Sequence, residues 1–428
     1  MAIDNENRRG DMTGFDVVVI GAGSAGLGVG YHLGAASVDF VIVERGEIGE
    51  SWRLQRWDSF AVNTPNRING LPGSPYDGDD PDGFWLRDQL VESFERHAAR
   101  HSLPIRTGTT VVGVSALDDW FVVDTVDRNG MSESLTARSV VVASGGQVTP
   151  KIPAISQRFP ESIVQLHAAD YRSPEALSEG AVVVIGSGQS GCQIVEDLVE
   201  AGRTVYLCTS RVARVPRRYR GSDVLDWMVD VGLMDQQVED LADPVMQFAA
   251  QPQVSGVGPR GRTVSLQELQ RQGVWLMGRL SDVNDGVLTT DDGLAGHIAF
   301  ADGFSAELKQ NIDTFVRENG IDVPPAEVDP IDVAAGPGLA AAGIVSLDLA
   351  AEGVSTVVWC TGFDGDFSWL QVPATDADGR PVHVRGVSPV PGIYFLGLPW
   401  LHTRKSGIIH GIDEDARWIA EAIVARVG

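Results

Sequence analysis

The chain has 428 residues, of which 43% are hydrophobic, and its 33 basic and 58 acidic side chains give a formal net charge of −25 at pH 7. A chain of this length can bury a large core, divided over two or three domains. The acidic surface repels nucleic acid and anionic lipid, so neither is an expected partner.

The cysteines and the apolar runs restrict the cellular setting. Cys192, Cys208 and Cys360 form no Cys-x-x-Cys pair and no obvious metal cluster, so we predict no metal site and a reduced, cytoplasmic environment. The first residues, MAIDNENRRGDMTG, lack the apolar centre of a signal peptide and predict a disordered tail over 1–14. No apolar run approaches the roughly 20 residues that cross a bilayer, so no membrane contact is expected.

The first predicted element is a strand that leads into a glycine-rich loop. FDVVVI (15–20) is typical of a buried parallel strand, and Gly21, Gly23 and Gly26 follow it, then a helix of small residues and a second strand that ends at Glu44. In such a unit the first glycine permits a tight turn, the second admits a pyrophosphate and the third lets the helix pack closely. The acid is placed to accept hydrogen bonds from a ribose diol. The unit predicts a dinucleotide site for a non-phosphorylated adenosine.

The same arrangement recurs 165 positions later. VVVI (182–185) precedes Gly186, Gly188 and Gly191, and a helix and another apolar strand follow. The chain between the two units is rich in predicted strands. It holds a helix over 84–101 and a β-meander over 109–146.

The second unit differs from the first where its second strand ends. In place of Glu44 it has Cys208, Thr209 and Ser210, followed by Arg211. A carboxylate would repel a ribose 2′-phosphate, whereas hydroxyls and a guanidinium would bind one. The alternative is a surface arginine on a loop. We predict that the second site binds NADP.

The rest of the chain supplies further helices and a closing strand and helix. The predicted helices are 222–235, 264–280 and 304–319, and the Gly/Pro-rich stretch 251–262 predicts a mobile loop. A strand over 392–397 precedes the final helix. The basic stretch RVARVPRRYRG would suit nucleic acid in isolation, but the acidic chain around it argues against that interpretation.

Two dinucleotide sites imply two redox partners. A nicotinamide donates hydride, and a flavin with an adenosine tail is the natural acceptor, since it takes two electrons and releases them singly or to dioxygen. The expected cofactors are therefore FAD at the first loop and NADPH at the second.

Several motifs resemble the class B flavin monooxygenases, the group of the flavin-containing monooxygenases and the plant YUCCA enzymes. GESWR (49–53) is similar to the Gly-Gly-x-Trp of that family, with Glu50 in place of the second glycine. The segment from FAVNTPNR to FERHA is similar to the flavin-side segment. ASGGQVTPKIP (143–153) and WCTGFDGD (359–366) resemble its two crossings between the FAD and NADPH domains.

The family fingerprint, Phe-x-Gly-x-x-x-His-x-x-x-Tyr-Lys, is partly present. In ESIVQLHAADYR, His167, Tyr171 and Arg172 match, while Glu161 and Ile163 replace the Phe and the Gly. The Tyr-Arg ending resembles the amine- and sulfide-oxygenating branch more than the Baeyer–Villiger branch. We expect His167 to be structural and to orient the linker between domains.

The resemblance implies an α/β fold with two Rossmann-like, three-layer ββα dinucleotide-binding domains. The FAD domain would be discontinuous, comprising 15–160 and 355–428. The NADPH domain, 161–354, would be inserted into it and carry a helical substrate-access region at about 222–330.

The resemblance also implies a mechanism and a site. NADPH would reduce the flavin, dioxygen would add to it, and the resulting peroxyflavin would transfer one oxygen atom. Asn63 falls where the family has the asparagine beside the flavin, so it is the expected catalytic residue; the alternative is a turn-forming Asn before Thr-Pro. The expected cofactor-binding residues are Gly21, Gly23, Ser24, Ala25, Gly26, Glu44, Arg45, Trp52, Val111, Ala143, Gly145, Gly186, Gly188, Gln189, Ser190, Gly191, Thr209, Ser210, Arg211, Thr361, Gly362, Leu398 and Ser406.

The C-terminal stretch adds one more hypothesis. A loop with Trp400, His402, Arg404 and Lys405 leads into a helix, predicted from about Ser406, whose first N–H groups would face the flavin pyrimidine. The alternative is a final helix that caps the core beside an exposed basic loop.

These observations favour an NADPH-dependent FAD monooxygenase that uses dioxygen and a small organic substrate, with N- or S-oxygenation preferred. One alternative is an NADPH-dependent flavin reductase of the same fold that passes electrons to a quinone or another acceptor. Others are Baeyer–Villiger or oxidative-decarboxylation chemistry, and a redox sensor or carrier that binds FAD without turnover. A homodimer is the first expectation for its assembly.

Overall fold

The protein has two large β-sheets, each with parallel strands at its centre and helices packed against it. This is the α/β class that the sequence predicts. In the computed structural model the described residues are 13–254, 256, 261–332 and 343–427. Residues 1–12 of the predicted tail lie outside these residues, and so do 255 and 257–260 of the predicted mobile loop. The prediction of disorder was wrong for Thr13 and Gly14, which begin the first strand by pairing with Leu135 and Thr136.

The elements are numbered in chain order. The strands are β1 Thr13–Ile20, β2 Phe40–Val43, β3 Ile105–Arg106, β4 Thr109–Leu117, β5 Trp120–Asp127, β6 Ser132–Val142, β7 Thr149–Pro150, β8 Val164–His167, β9 Ala181–Ile185, β10 Val205–Cys208, β11 Arg218–Tyr219, β12 Ser222–Asp223, β13 Trp275–Met277, β14 Leu280–Asn284, β15 Val287–Thr290, β16 Ser346–Asp348, β17 Val354–Trp359, β18 Phe363–Asp364 and β19 Ile393–Phe395. The α-helices are α1 Ser24–Ala35, α2 Glu50–Leu54, α3 Arg87–Arg100, α4 Gln189–Glu200, α5 Val224–Asp230, α6 Leu266–Arg271, α7 Leu294–Asn319 and α8 Ile412–Val427.

The first sheet has the strand order β3-β2-β1-β6-β5-β4, with β19 also paired to β6. Strand β1 pairs in parallel with β2 and β6. Strand β6 changes neighbour along its length. Its first part pairs with β5 in the predicted antiparallel meander, and its last residues pair in parallel with β19. One long strand thus joins the meander to the nucleotide-binding layer.

The second sheet is parallel throughout, in the order β13-β10-β9-β17-β8. Its central strands, AVVVI in β9 and VSTVVW in β17, are rich in β-branched residues and almost entirely buried, as expected for a parallel sheet covered on both faces. The predicted division of the chain at 354/355 falls at the start of β17, which pairs within this second sheet.

Several predicted helices have different bounds in the structure. The helix expected over 222–235 is only Val224–Asp230, and the one expected over 84–101 is Arg87–Arg100. The helix expected over 264–280 is only Leu266–Arg271, because Gly273, with a φ of +98°, turns the chain and the next apolar residues form β13. The helix expected over 304–319 begins earlier, at Leu294, and the final α-helix begins at Ile412, after a 3₁₀ turn.

The buried hydrophobic side chains of the described residues form three clusters. One lies around the first sheet and reaches the helices of the second, and another lies on the opposite face of the second sheet. The third fills the predicted access region, between α5 and α7. Ile68 and Ile408 pack against this third cluster. The access region therefore contacts both the segment after Asn63 and the C-terminal segment.

Candidate functional site

The two glycine loops have the same turn geometry. Gly21 and Gly186 have φ angles of +108° and +110°, a region that side chains rarely adopt. A Cβ on Gly21 would lie 2.6 Å from the main-chain oxygen of Ala143, and one on Gly186 would lie 2.4 Å from that of Cys360. The first glycine of each loop is therefore required both by the turn and by the neighbouring strand end.

The other glycines of the loops also have distinct roles. A Cβ on Gly26 would meet the main-chain oxygen of Gly21 at 1.8 Å, and one on Gly191 would meet that of Gly186 at 1.9 Å. Beside Gly23 and Gly188, in contrast, no described residue other than the adjacent ones in the chain has an atom within 4 Å of an added Cβ. The third glycine closes the helix onto the loop, as predicted, and the second leaves open space.

Both loops end at helix N-termini, and in the described part of the chain the N-cap position of neither helix supplies a side-chain cap. Gly23 is the N-cap of α1 and Gly188 is the N-cap of α4. Ser24 and Ala25 open the first helix, and Gln189 and Ser190 open the second. Uncapped N–H groups and the helix dipole together favour an anion such as a pyrophosphate. The residues present at both loops fit a dinucleotide.

Glu44 is buried and holds the first loop in place. One carboxylate oxygen accepts from the N–H of Ala22 at 2.8 Å, and the other accepts from the N–H of Gly46 at 2.9 Å. Since each oxygen can accept more than one hydrogen bond, the predicted contact with a ribose remains available. Beside it lies a cavity of about 280 Å³. Its lining residues are Arg45, Gly46, Glu50, Ser51, Leu54, Gln55 and Thr110.

Two predicted residues of the first site flank this region. Val111 follows the cavity residue Thr110 in β4 and packs against the core. Trp52 is half-buried, with its ring 5.9 Å from that of Phe60, and the guanidinium of Arg56 lies over it at 4.8 Å.

The end of β10 carries the residues predicted to bind the 2′-phosphate, and they are used in different ways. Thr209 is buried, and its hydroxyl donates to the main-chain oxygen of Met277 at 2.6 Å and lies 2.9 Å from Nδ1 of His297. The hydroxyl is thus already engaged, which the sequence did not indicate. Arg211 is exposed, and its guanidinium lies 4.1 Å from the centre of the Phe300 ring. Of these residues, Arg211 is the one with a free charged face toward solvent.

Ser210 and Gln189 hold the second loop from two sides. The N–H of Ser210 donates to Oγ of Ser187 at 3.0 Å. The side-chain oxygen of Gln189 accepts from the N–H of Val254 at 2.7 Å. Next to it, Gln253 is buried and donates from its amide to the main-chain oxygen of Ser187. The described part of the predicted loop 251–262 therefore packs on the glycine loop.

The two predicted crossings pair with each other. Strand β7 and strand β18 form a short antiparallel ladder, and the N–H of Lys151 donates to the oxygen of Gly362 at 3.0 Å. The hydroxyl of Thr361 donates to the oxygen of Lys151. Gly145 and Gly362 have φ angles of +82° and +83°. The chain thus passes between the two nucleotide units through one hydrogen-bonded connection.

The fingerprint residues fasten this connection. His167 accepts from the N–H of Ala169 at Nδ1, 3.1 Å away, and donates from Nε2 to the oxygen of Gly362 at 2.9 Å. Burial holds its pKa below the usual value. These contacts fit the structural role that the sequence predicts for it. The hydroxyl of Tyr171 donates to Asp197 at 2.6 Å.

Arg172 extends the fastening to the first unit. Its guanidinium donates to the main-chain oxygen of Leu54 at 2.5 Å, and its own main-chain oxygen accepts from the N–H of Asp58 at 2.9 Å. The basic residue of the fingerprint therefore joins the linker to the segment that follows α2.

Asn63 has a fixed backbone and an available side chain. The N–H of the preceding residue, Val62, donates to the main-chain oxygen of Trp85 at 2.8 Å. The side-chain amide of Asn69 donates to the main-chain oxygen of the following residue, Thr64, at 3.0 Å. Among the described residues, the side-chain amide of Asn63 has no hydrogen-bond partner, and it is half-buried. An amide so placed can donate to a bound molecule.

The C-terminal segment lies against the first glycine loop. A Cβ on Gly397 would lie 2.7 Å from that of Ala25, and one on Gly28 would lie 2.5 Å from Ile412. Leu398 borders the first crossing, 3.4 Å from the position of a Cβ on Gly146. This convergence places the start of α8 beside α1.

The predicted basic loop before α8 is not free. Ser406 is buried, and its hydroxyl accepts from the N–H groups of His402 and Thr403. Arg404 donates to the side chain of Gln236 at 2.9 Å, and Lys405 binds Asp235 at 2.5 Å and Glu414 at 2.9 Å. The loop is thus tied to the access region.

The arginine-rich stretch is also satisfied by internal carboxylates. Arg214 is buried against Asp302 and Asp332, and Arg220 donates to Asp313 at 2.7 Å. The sequence offered no sign of these partners, because each lies about ninety or more positions away. Arg214 and Arg220 of this stretch thus bind carboxylates of the protein itself.

The cysteines offer no reactive thiolate. Burial raises the pKa of Cys208 and Cys360 to about 12 and raises that of Cys192 still further. Thiols that stay protonated at neutral pH are poor nucleophiles. Among the described residues no group of three His, Cys, Asp or Glu side chains is placed to hold a metal ion, and no helix is long and apolar enough to cross a membrane.

Comparison with known proteins identifies the family. The model of the pyridine nucleotide-disulphide oxidoreductase family matches residues 18–230. An oxidoreductase described as CzcO-like, from Geobacillus kaustophilus (strain HTA426), is 31% identical over 413 residues, which cover 96% of this chain and 98% of that relative. This chain belongs to the CzcO-like oxidoreductases.

The CzcO-like chain has further relatives among monooxygenases. The indole-3-pyruvate monooxygenase YUCCA1 of Oryza sativa subsp. japonica is 30% identical over 209 residues, 48% of this chain and 50% of that enzyme. A flavin-containing monooxygenase from Stenotrophomonas maltophilia has the same fold, with a TM-score of 0.63 at 20% identity, covering 97% of this chain and 100% of that one.

Proposed function

We propose that this CzcO-like oxidoreductase is an NADPH-dependent FAD monooxygenase. One NADPH, one proton and one dioxygen would be consumed for each substrate molecule. One oxygen atom would go to the substrate and the other would leave as water, while NADPH becomes NADP⁺. Substrates with a nucleophilic nitrogen or sulfur are favoured, on the Tyr171–Arg172 ending of the fingerprint.

The observation that carries this proposal is the pair of matching, uncapped glycine loops joined by one connection. The loop at Gly21–Gly26, with Glu44, would hold FAD, and the loop at Gly186–Gly191, with Arg211, would hold NADPH. Bound FAD supplies two-electron acceptance from NADPH and the activation of dioxygen. The crossings fastened by His167 keep the two nucleotide sites in a fixed relation.

Two features favour oxygen transfer over electron transfer to another acceptor. The available amide of Asn63 would donate a hydrogen bond to the activated oxygen without supplying a strong acid. The family that matches residues 18–230 is named after disulphide oxidoreductases. The free thiols of this chain, two buried and one half-buried, argue against disulphide chemistry here. The similarity to an indole-3-pyruvate monooxygenase over half of its length also supports an oxygenase.

An NADPH-dependent reductase that passes electrons to a quinone or another acceptor is the second candidate. The family model favours it, since reduction of an acceptor needs the same two nucleotide sites. It would use the flavin without inserting oxygen.

The deciding experiment supplies ¹⁸O-labelled dioxygen. Purified protein would be incubated with NADPH and a panel of amines, sulfides and ketones. Labelled product in proportion to NADPH consumed is the expected result. NADPH consumption with no labelled product on any substrate, but with rapid reduction of a quinone, would contradict the monooxygenase and support the reductase.

A further inference from the structure

Arg217 lies in the arginine-rich stretch RVARVPRRYRG and is a buried cation. It is 1% exposed, and its guanidinium binds both carboxylate oxygens of Asp223, with 2.9 Å between Nε and one oxygen. The same guanidinium lies 4.7 Å from the centre of the Phe84 ring. Burial lowers its pKa, but the paired carboxylate favours the charged form.

The remaining guanidinium nitrogen of Arg217 faces two main-chain oxygens. Nη1 donates to the oxygen of Asn63 at 2.9 Å and lies 3.4 Å from that of Val254. A hydrogen bond from a buried cation is among the stronger bonds in proteins. Arg217 therefore holds the backbone at Asn63 and the backbone at Val254 in one place.

Val254 connects Arg217 to the second glycine loop. Its N–H donates to the side chain of Gln189, at the start of α4, where the phosphates of a dinucleotide would lie. The neighbouring Gln253 fastens the same segment to Ser187. Gln189, Val254, Arg217 and Asn63 thus form a continuous series of hydrogen bonds.

We propose that Arg217 is a positioning residue that sets the orientation of Asn63 and couples it to occupancy of the second nucleotide loop. The inference rests on the proposed function. A dinucleotide that orders Gln189 would order Val254, and through Arg217 it would order the segment that carries the Asn63 amide. Removal of the guanidinium would break this series at its centre.

The test is a pair of matched substitutions. Arg217→Lys keeps a cation beside Asp223 but lacks the Nη1 donor that reaches the main-chain oxygen of Asn63. Arg214→Lys is the control, since Arg214 is equally buried and paired with two carboxylates, Asp302 and Asp332, but does not contact Asn63. If Arg217→Lys fails to fold, the double variant Arg217→Met with Asp223→Asn removes both charges together. Asp223 caps α5 by accepting from the N–H of Leu225, and Asn can do the same.

Hydrogen–deuterium exchange with and without NADP⁺ reports the coupling directly and needs no turnover. In the wild type and in Arg214→Lys, NADP⁺ should slow exchange both at residues 186–191 and at residues 61–65. In Arg217→Lys the protection at 186–191 should remain and that at 61–65 should be lost. Equal protection of 61–65 in both variants, or none in the wild type, would overturn the proposal.

A second readout separates this proposal from the proposed function. With a substrate that the protein oxygenates, Arg217→Lys should release about tenfold more hydrogen peroxide per NADPH than Arg214→Lys. This is the effect expected for the loss of one charge-assisted hydrogen bond. Equal release would count against the positioning role. Absence of any protection at 186–191 by NADP⁺ in the wild type would instead refute the nucleotide site itself.

Discussion

The Nε2 of His167 lies 2.9 Å from the main-chain oxygen of Gly362, across 195 positions of sequence, and this hydrogen bond links the two crossings. Because Nδ1 accepts from the N–H of Ala169, the proton of a neutral ring sits on Nε2. Protonation would turn that acceptor into a donor facing another donor. The fold therefore requires an uncharged imidazole at the connection between the nucleotide units.

Acid should lower the free energy of unfolding, because the buried neutral histidines would have to be protonated. The pKa of both His97 and His167 is lowered by burial, and His97 should contribute more to this loss. His97 is buried between Ser74 and the Leu27 oxygen, and burial lowers its pKa from 6.5 to about 4. A lowered folded-state pKa means that the unfolded chain binds the proton first, so the free energy of unfolding falls as the pH drops from about 6.5 to about 4. Thermal unfolding followed across this range measures it. The variant His97→Gln should show a flatter pH profile, and an unchanged profile would contradict the assignment.

The second and third glycines of the loops should respond differently to alanine. Gly188→Ala has open space for its methyl group, so the variant should fold and retain flavin, but the group would occupy the room needed by a pyrophosphate. Its KM for NADPH should rise by about tenfold or more. Gly191→Ala should fail to fold normally, because its Cβ would overlap the oxygen of Gly186. Gly296→Ala, in an open position on α7, is the control. Normal NADPH kinetics in Gly188→Ala would refute a pyrophosphate there.

Asn63 should govern the yield of product and not the rate of NADPH oxidation. Asn63→Ala and Asn63→Asp both remove the amide donor, and either should lower the oxygenated product per NADPH by about tenfold or more, with hydrogen peroxide formed instead. Asn129→Ala, on the exposed hairpin between β5 and β6, serves as the control. Unchanged product yield in both variants would exclude Asn63 from oxygen transfer.

Arg211 should set the preference for NADPH over NADH. Its guanidinium is held over Phe300 and is open to solvent, which suits a 2′-phosphate. Arg211→Ala should lower the ratio of kcat/KM for NADPH to kcat/KM for NADH by about tenfold, which is the effect of one lost charge-assisted contact. The exposed Arg218→Ala should leave the ratio unchanged. Equal rates with both nicotinamides in the intact protein would contradict the NADP assignment.

Local sequence rules accounted for the nucleotide units because their constraints are short-range. The positive φ of Gly21 and the closure of Gly26 onto Gly21 are set within one loop, and the strand–loop–helix order around them follows the local residue pattern, so the predicted elements correspond to those observed. The meander of β4 to β6 follows from alternating residues and short turns in the same way.

Long-range contacts explain most of what the sequence did not predict. Nothing near Arg217 in the chain indicates that its guanidinium binds Asn63, which is 154 positions earlier. The segment after α6 has residues that suit a helix, but the open edge of β10 recruits Trp275–Met277 as a strand. Thr209 has the residue type of a phosphate ligand, yet Met277 takes its hydroxyl. Such outcomes depend on which elements the fold brings together.

The account depends on hydride passing from a nicotinamide at the second loop to a flavin at the first. Mixing the purified protein with NADPH in the absence of dioxygen tests this most directly, with the flavin absorbance and the NADPH absorbance followed together. We predict a yellow protein whose flavin is bleached in step with the oxidation of an equal amount of NADPH. A protein that takes up no flavin, or one whose flavin stays oxidised in excess NADPH, would contradict it.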